Sequence, residues 1–183
     1  MATFEIIIAG FGGQGTLFAG EILARAAVLE GKNVTWMPSY GPEQRGGTAT
    51  CTVVVSDEAI GSPIVSDPQA AIVMNRPSLD KFEPWIRPGG VLVVNTAMVD
   101  RPVARTDLRV VGVDATREAA ALGSAPVANM ILLGALLRVL PIVSAGAVRQ
   151  ALAEHFAPSQ QDLVEVEVAA VDRGLDAGSQ IAA

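Results

Sequence analysis

The chain has 183 residues, half of them apolar and only 4% aromatic, with a formal charge of −6. That size buries a core without disulfides, and the single cysteine, Cys51, excludes both a disulfide framework and a self-contained iron–sulfur cluster, which takes about four thiolates. The acidic balance, with no basic stripe, excludes nucleic acid as a partner, and a single histidine, His155, is poor material for a zinc site or a Ser–His triad.

Residues 4–9 form a short apolar run that ends in glycines, which predicts a buried first strand. Gly10 to Gly15 read as a tight turn. Over residues 14–30, Leu17, Ala19, Ile22, Leu23, Ala26 and Ala27 recur at helical spacing and share one face, and Gly31 ends that helix. Residues 33–37 predict a second strand and residues 38–47 a loop rich in Gly and Pro. The β-branched residues 48–55 predict a third strand. A second α/β stretch follows: a strand at 70–74, a short helix at 77–85 starting near Asn75 or Arg76, and strands at 91–95 and 109–113. Asp114 is placed to cap a helix that runs to Leu122.

The last third reads as helical. Residues 127–140 are apolar on nearly every side, which predicts a helix buried by this domain or by a neighbour, with Pro141 breaking it. Ser144 is placed to cap a helix over 145–156, and residues 162–175 predict a final amphipathic helix with a loose tail from about 177. The apolar stretch 127–137 is too short to span a bilayer, and the N-terminal MATFEIII has no basic n-region or cleavage site. No membrane association and a cytoplasmic location are therefore expected. The fold class expected is α/β: one Rossmann-like three-layer domain over residues 1–183, with a mostly parallel sheet and helices on both faces. A charged fraction of only 17% further predicts apolar patches that partners cover.

Gly10-Phe11-Gly12-Gly13-Gln14-Gly15 fits GxGxxG between a strand and a helix. Glycines there allow a tight turn, and the free N–H groups of the helix start favour an anion. The alternative is a strand-to-helix turn that holds nothing. A dinucleotide would also need an acidic residue about 20 positions on, at the end of the second strand. That strand ends Val34-Thr35-Trp36-Met37-Pro38, with no carboxylate, which counts against it. The loop Pro38 to Gly47 is expected beside the glycine turn, at the carboxyl ends of neighbouring parallel strands. There Arg45 offers a charged donor fork and Tyr40 a stacking surface, or else Glu43 pairs with Arg45 and the loop satisfies itself.

The stretches GFGGQG, FAGEILARAA, PSYGPEQRGG and VVVSDEAIGSPIV, with Asn75 and the later PVANMILLGAL, resemble the gamma subunit of the pyruvate and other 2-oxoacid:ferredoxin oxidoreductases. The resemblance covers nearly the whole chain. The related indolepyruvate oxidoreductase subunit shares the glycine turn and RGG, but its intervening loop usually differs, so Ser39 to Glu43 favours the gamma type. An aryl-glyoxylate oxidoreductase subunit and a stand-alone Rossmann-like nucleotide-binding module are the remaining alternatives. The resemblance implies a non-catalytic subunit of a complex that oxidatively decarboxylates a 2-oxoacid, usually to an acyl-CoA. Thiamine diphosphate, Mg and 4Fe-4S clusters would sit on alpha, beta and delta-type partner chains, with ferredoxin or another acceptor taking electrons through them. Coenzyme A would be a shared substrate. The residues implied at its anionic groups are Gly10, Gly12, Gly13, Gln14 and Gly15 with Ser39, Tyr40, Gly41, Glu43, Arg45, Gly46 and Gly47.

Asn129 inside the apolar helix needs partners, so it either ties the helix to a loop or points into the same rim; the tie is the favoured reading. Cys51, in mid-strand, is expected to be buried and inert. His155, near a helix end, is expected to be solvated or to serve the helix dipole.

Overall fold

The computed structural model describes residues 2–41 and 47–181. Six strands form one sheet: β1 (Thr3–Phe11), β2 (Asn33–Tyr40), β3 (Thr48–Ser56), β4 (Ala70–Val73), β5 (Val91–Asn95) and β6 (Arg109–Val113). The order across the sheet is β2-β3-β1-β4-β5-β6. β1, β4, β5 and β6 pair in parallel, while β3 runs antiparallel to both β1 and β2. The sheet is thus mixed but mostly parallel, as expected for the α/β class.

The central strands are buried on both faces, and their residues alternate between two cores. Ile6, Ile8, Cys51, Val53, Ile72 and Val93 face one core, and Ile7, Ala9, Val54, Ala71, Val73 and Leu92 face the other. The first core is packed by α1 (Thr16–Leu29), α3 (Ala115–Ala121), α4 (Ala128–Val139), α5 (Ala145–His155) and α6 (Gln161–Ile181). The second is covered by α2 (Arg76–Phe82), with Ile60 and Val65 from the loop after β3 and Val99 and Val103 from the loop after β5.

The caps read from the sequence are in place. Asn75, Asp114 and Ser144 accept from the backbone N–H groups of Ser78, Arg117 and Ala147. Helix α4 buries ten of its twelve residues, which explains why its sequence shows no polar face. It meets α6 at glycines: a Cβ on Gly134 would run into the carbonyl of Val171, and one on Gly174 into the carbonyl of Ile131. Gly178 makes a similar close approach to Ala135. Helix α6 therefore continues to Ile181, past the stop expected at Leu175. Gly178, expected in a loose tail, is instead one of the points where the two helix backbones touch.

Glu83 pins the loop after β5. It is 3% exposed and accepts from the N–H groups of Ala104 (2.5 Å) and Arg105 (2.8 Å), and it pairs with Arg101 at 2.9 Å. Burial opposes its charge, but these partners outweigh burial and hold its carboxyl below the usual range.

Candidate functional site

The glycine turn lies between the carboxyl end of β1 and the start of α1. Gly13 (φ 96°) and Gly15 (φ 74°) take the left-handed conformation that glycine adopts at no steric cost. Gly15 caps α1 without a side-chain hydrogen bond, so among the described residues no side chain caps the first N–H groups of the helix, and Gly15 to Phe18 line the cleft described below. The Gln14 side chain folds back under the turn. Its Oε1 accepts from Phe11 N (2.7 Å) and Asn75 Nδ2 (3.0 Å), and its Nε2 donates to Met74 O at 3.4 Å. That side chain fills the space beside Gly10, where a Cβ would stand 2.7 Å from Gln14 Oε1.

Asn129, 2% exposed at the start of α4, donates from Nδ2 to Gly15 O at 3.0 Å and accepts from Met130 N at 2.9 Å. It fastens the helical core to the back of the turn, the tie the sequence favoured. Cys51 is fully buried beneath α1, its Sγ 3.4 Å from Thr16 O, and burial pushes its thiol up to about 12. It is an interior residue, as expected. The His155 ring ends α5 against Phe18 (centroids 5.0 Å) and Phe156 (5.1 Å), with Nδ1 3.6 Å from Glu21 Oε1. It is packed more than the solvated role expected of it.

The other wall comes from the β2–β3 hairpin. Gly12 N donates to Gly47 O at 2.9 Å, and Gly41 N to Thr48 O at 3.1 Å. These bonds set the hairpin end against the glycine turn and leave a cleft of about 800 Å³ between them. Gly12, Gly13, Gly15 and Thr16 line one side, Leu17 and Phe18 the floor, and Tyr40, Gly41, Gly47, Thr48 and Ala49 the other side. The described ends of the loop meet the turn as expected, but for a different reason. β1 and β2 are not neighbours: β3 lies between them, and its own start joins the rim.

Several expected site residues take other places. β2 runs to Tyr40 rather than ending at Met37, so side chains alternate through it and Ser39 faces away from Tyr40 and the cleft. Gly10, Gln14 and Asn129 support the turn from behind. Glu43, Arg45 and Gly46 lie outside the described residues. Phe18, Thr48 and Ala49 join the lining without having been singled out; Phe18 looked like an ordinary helix position. A smaller cavity of about 160 Å³ opens on the far side of the turn, between Gly13, Asn95, Thr116 and Pro126.

Among the described residues no group of three or more His, Cys, Asp or Glu could hold a metal, and no helix is long and apolar enough to cross a membrane. With one cysteine, the donor set does not fit an iron–sulfur cluster. No Asp or Glu lies on β2, so the ribose carboxylate of a dinucleotide site is missing there.

Fold and cleft together define an α/β domain in which a glycine-rich helix start and a hairpin end line one cleft. Residues 5–177 match the pyruvate ferredoxin/flavodoxin oxidoreductase family, and the chain belongs to that family. It is 36% identical over 173 residues to the ketoisovalerate oxidoreductase subunit VorA of Methanothermobacter thermautotrophicus, covering 94% of this chain and 36% of that protein. It is 39% identical over 151 residues to the 2-oxoglutarate synthase subunit KorC of Methanocaldococcus jannaschii, covering 81% of each. The chain spans 28% to 36% of the length of the VorA relatives it matches. The solved gamma subunit of a keto/oxoacid ferredoxin oxidoreductase from Geobacter sulfurreducens superposes with a TM-score of 0.87 at 27% identity, covering 99% of both chains.

Proposed function

We propose that this chain is the gamma subunit of a thiamine-diphosphate-dependent 2-oxoacid:acceptor oxidoreductase complex, and that its cleft receives the phosphate end of coenzyme A. The observation that carries this reading is the uncapped start of α1, flanked by two left-handed glycines and opening into a ligand-sized cleft. Coenzyme A has the matching halves, a polyanionic phosphate region and a flat nucleoside. The N–H groups at the start of α1 donate to phosphate oxygens. Phe18 and Tyr40 offer aromatic surface to the nucleoside, and Arg45, five residues after Tyr40 in the sequence, is the charged fork this reading assigns to the phosphates.

In the complex, thiamine diphosphate supplies carbanion stabilisation and iron–sulfur clusters carry electrons away, all on partner chains. This chain orients the acyl acceptor. The reading takes the chain as a single gamma-type domain working in the cytoplasm. Alpha, beta and delta-type subunits accompany it, and ferredoxin receives electrons through them.

The test is a coenzyme A titration of the assembled complex with Arg45→Ala beside the parent. The variant should bind coenzyme A at least about tenfold more weakly, the loss of one charge-assisted contact, with a matching fall in acyl-CoA formation. Unchanged affinity and turnover would remove the loop from the coenzyme A site.

A further inference from the structure

The helix side of β2 is apolar, half-buried at Val34 and exposed from Trp36 to Tyr40. The bond from Gly41 N to Thr48 O, with the register Tyr40↔Ala49, puts the odd-numbered residues of β2 in the hydrogen-bonded pairs. The even-numbered residues therefore turn their backbone groups to the free edge of the sheet. Their side chains lie on the α1 side, because the Trp36 indole sits against Gly20. Val34, Trp36, Pro38 and Tyr40 thus form one stripe.

Val34 and Trp36 line a groove of about 450 Å³ whose other wall is Ala24, Val28 and Leu29 of α1. At the far end of the stripe, Tyr40 lines the 800 Å³ cleft. Val28 is 62% exposed and Tyr40 72%, a poor use of apolar surface in a lone domain. Glu21, Arg25 and Glu154 rim the groove, and Arg25 is already paired with Glu21 at 2.8 Å, so the rim is acidic on balance.

Two observations choose the occupant. Pro38 stands in the outward row of β2 with no N–H to give, which breaks a ladder with a second copy at the middle of the stripe. The VorA relatives, in contrast, join this fold to additional polypeptide about twice its length. We propose that the stripe and groove seat the companion chain that those longer relatives carry in the same polypeptide. It enters the groove with a large apolar side chain flanked by a basic one. The chain seated there also roofs the open side of the cleft beside Tyr40. This inference rests on the complex-subunit reading above.

The test co-expresses the full chain with the companion subunits of its complex and compares hydrogen exchange before and after assembly. Amides of residues 24–36 should slow on assembly. Val28→Glu should weaken assembly at least about tenfold while leaving the thermal midpoint and circular dichroism of the free chain unchanged. Glu154→Lys, which inverts the rim, should weaken it by a smaller factor. Ile64→Glu, at an exposed apolar residue on another face, should assemble like the parent. A parent that assembles without protecting residues 24–36, or assembly indifferent to Val28→Glu and Glu154→Lys, would overturn this surface alone. A parent that assembles with none of the companions would overturn the subunit reading and the surface with it.

Discussion

Helix α4 is buried on ten of its twelve residues and meets α6 backbone to backbone, whereas strand β2 leaves six of its eight residues exposed. β2 is an edge strand of the sheet and α4 packs on that same sheet, yet the two divide the domain's work. Where α4 and α6 touch, every added atom meets a neighbour, so that side sets the stability of the fold. At the hairpin end, apolar groups remain in solvent and a cleft stays open, so that end is available for recognition. Low-burial elements of this kind are where proteins place binding surfaces.

The contrast can be broken most forcefully at Gly174. A single methyl there would meet the Ile131 carbonyl, and neither helix can retreat without opening the core. Gly174→Ala should lower stability by about 3 kcal/mol, read by urea denaturation. A loss under about 0.5 kcal/mol, the size of a surface change, would show that the α4–α6 contact is loose.

The next effect concerns Glu167 on α6, partly buried, with Oε2 lacking a hydrogen-bond partner among the described residues. Burial pushes its carboxyl up to about 7. The folded state then binds a proton that the unfolded chain, at about 4.3, releases earlier. Stability falls as pH rises through that window and stays lowered above it. Glu167→Gln should gain roughly 2 kcal/mol at pH 8, discounted for partial exposure, and nothing near pH 4. Denaturation at the two pH values checks this; an equal effect at both would mean the carboxylate is well solvated.

Much of this architecture was legible from sequence because it depends on local pattern. The apolar run before the glycines, the helical spacing after them, and the caps Asn75, Asp114 and Ser144 all act within a few residues of themselves. What escaped depends on contacts distant in sequence. Nothing near β1 or β2 announces that β3 inserts between them, so the rim was foreseen with the wrong neighbour relation. Gln14 looked like a rim residue because its partner Asn75 lies 61 positions away. Gly178 was left in a loose tail because the opposing backbone of α4 is invisible in one dimension. Tyr40 and the glycines of the cleft were foreseen through their turn chemistry and the family resemblance, while Ser39 was misplaced by a strand that ran three residues longer than its β-branched core suggested.

The smallest change in stability probes the other region and bears most directly on the central claim. Gly13 has φ 96° and open space where a Cβ would stand, so Gly13→Ala strains one turn residue by about 1 kcal/mol without touching the core. Gly13 lines the cleft, so on the proposed reading a methyl there takes room from phosphate. Equilibrium titration of coenzyme A against the assembled complex carrying Gly13→Ala should show binding weakened at least about tenfold, with the complex intact. Coenzyme A binding equal to that of the parent would contradict the assignment of this cleft.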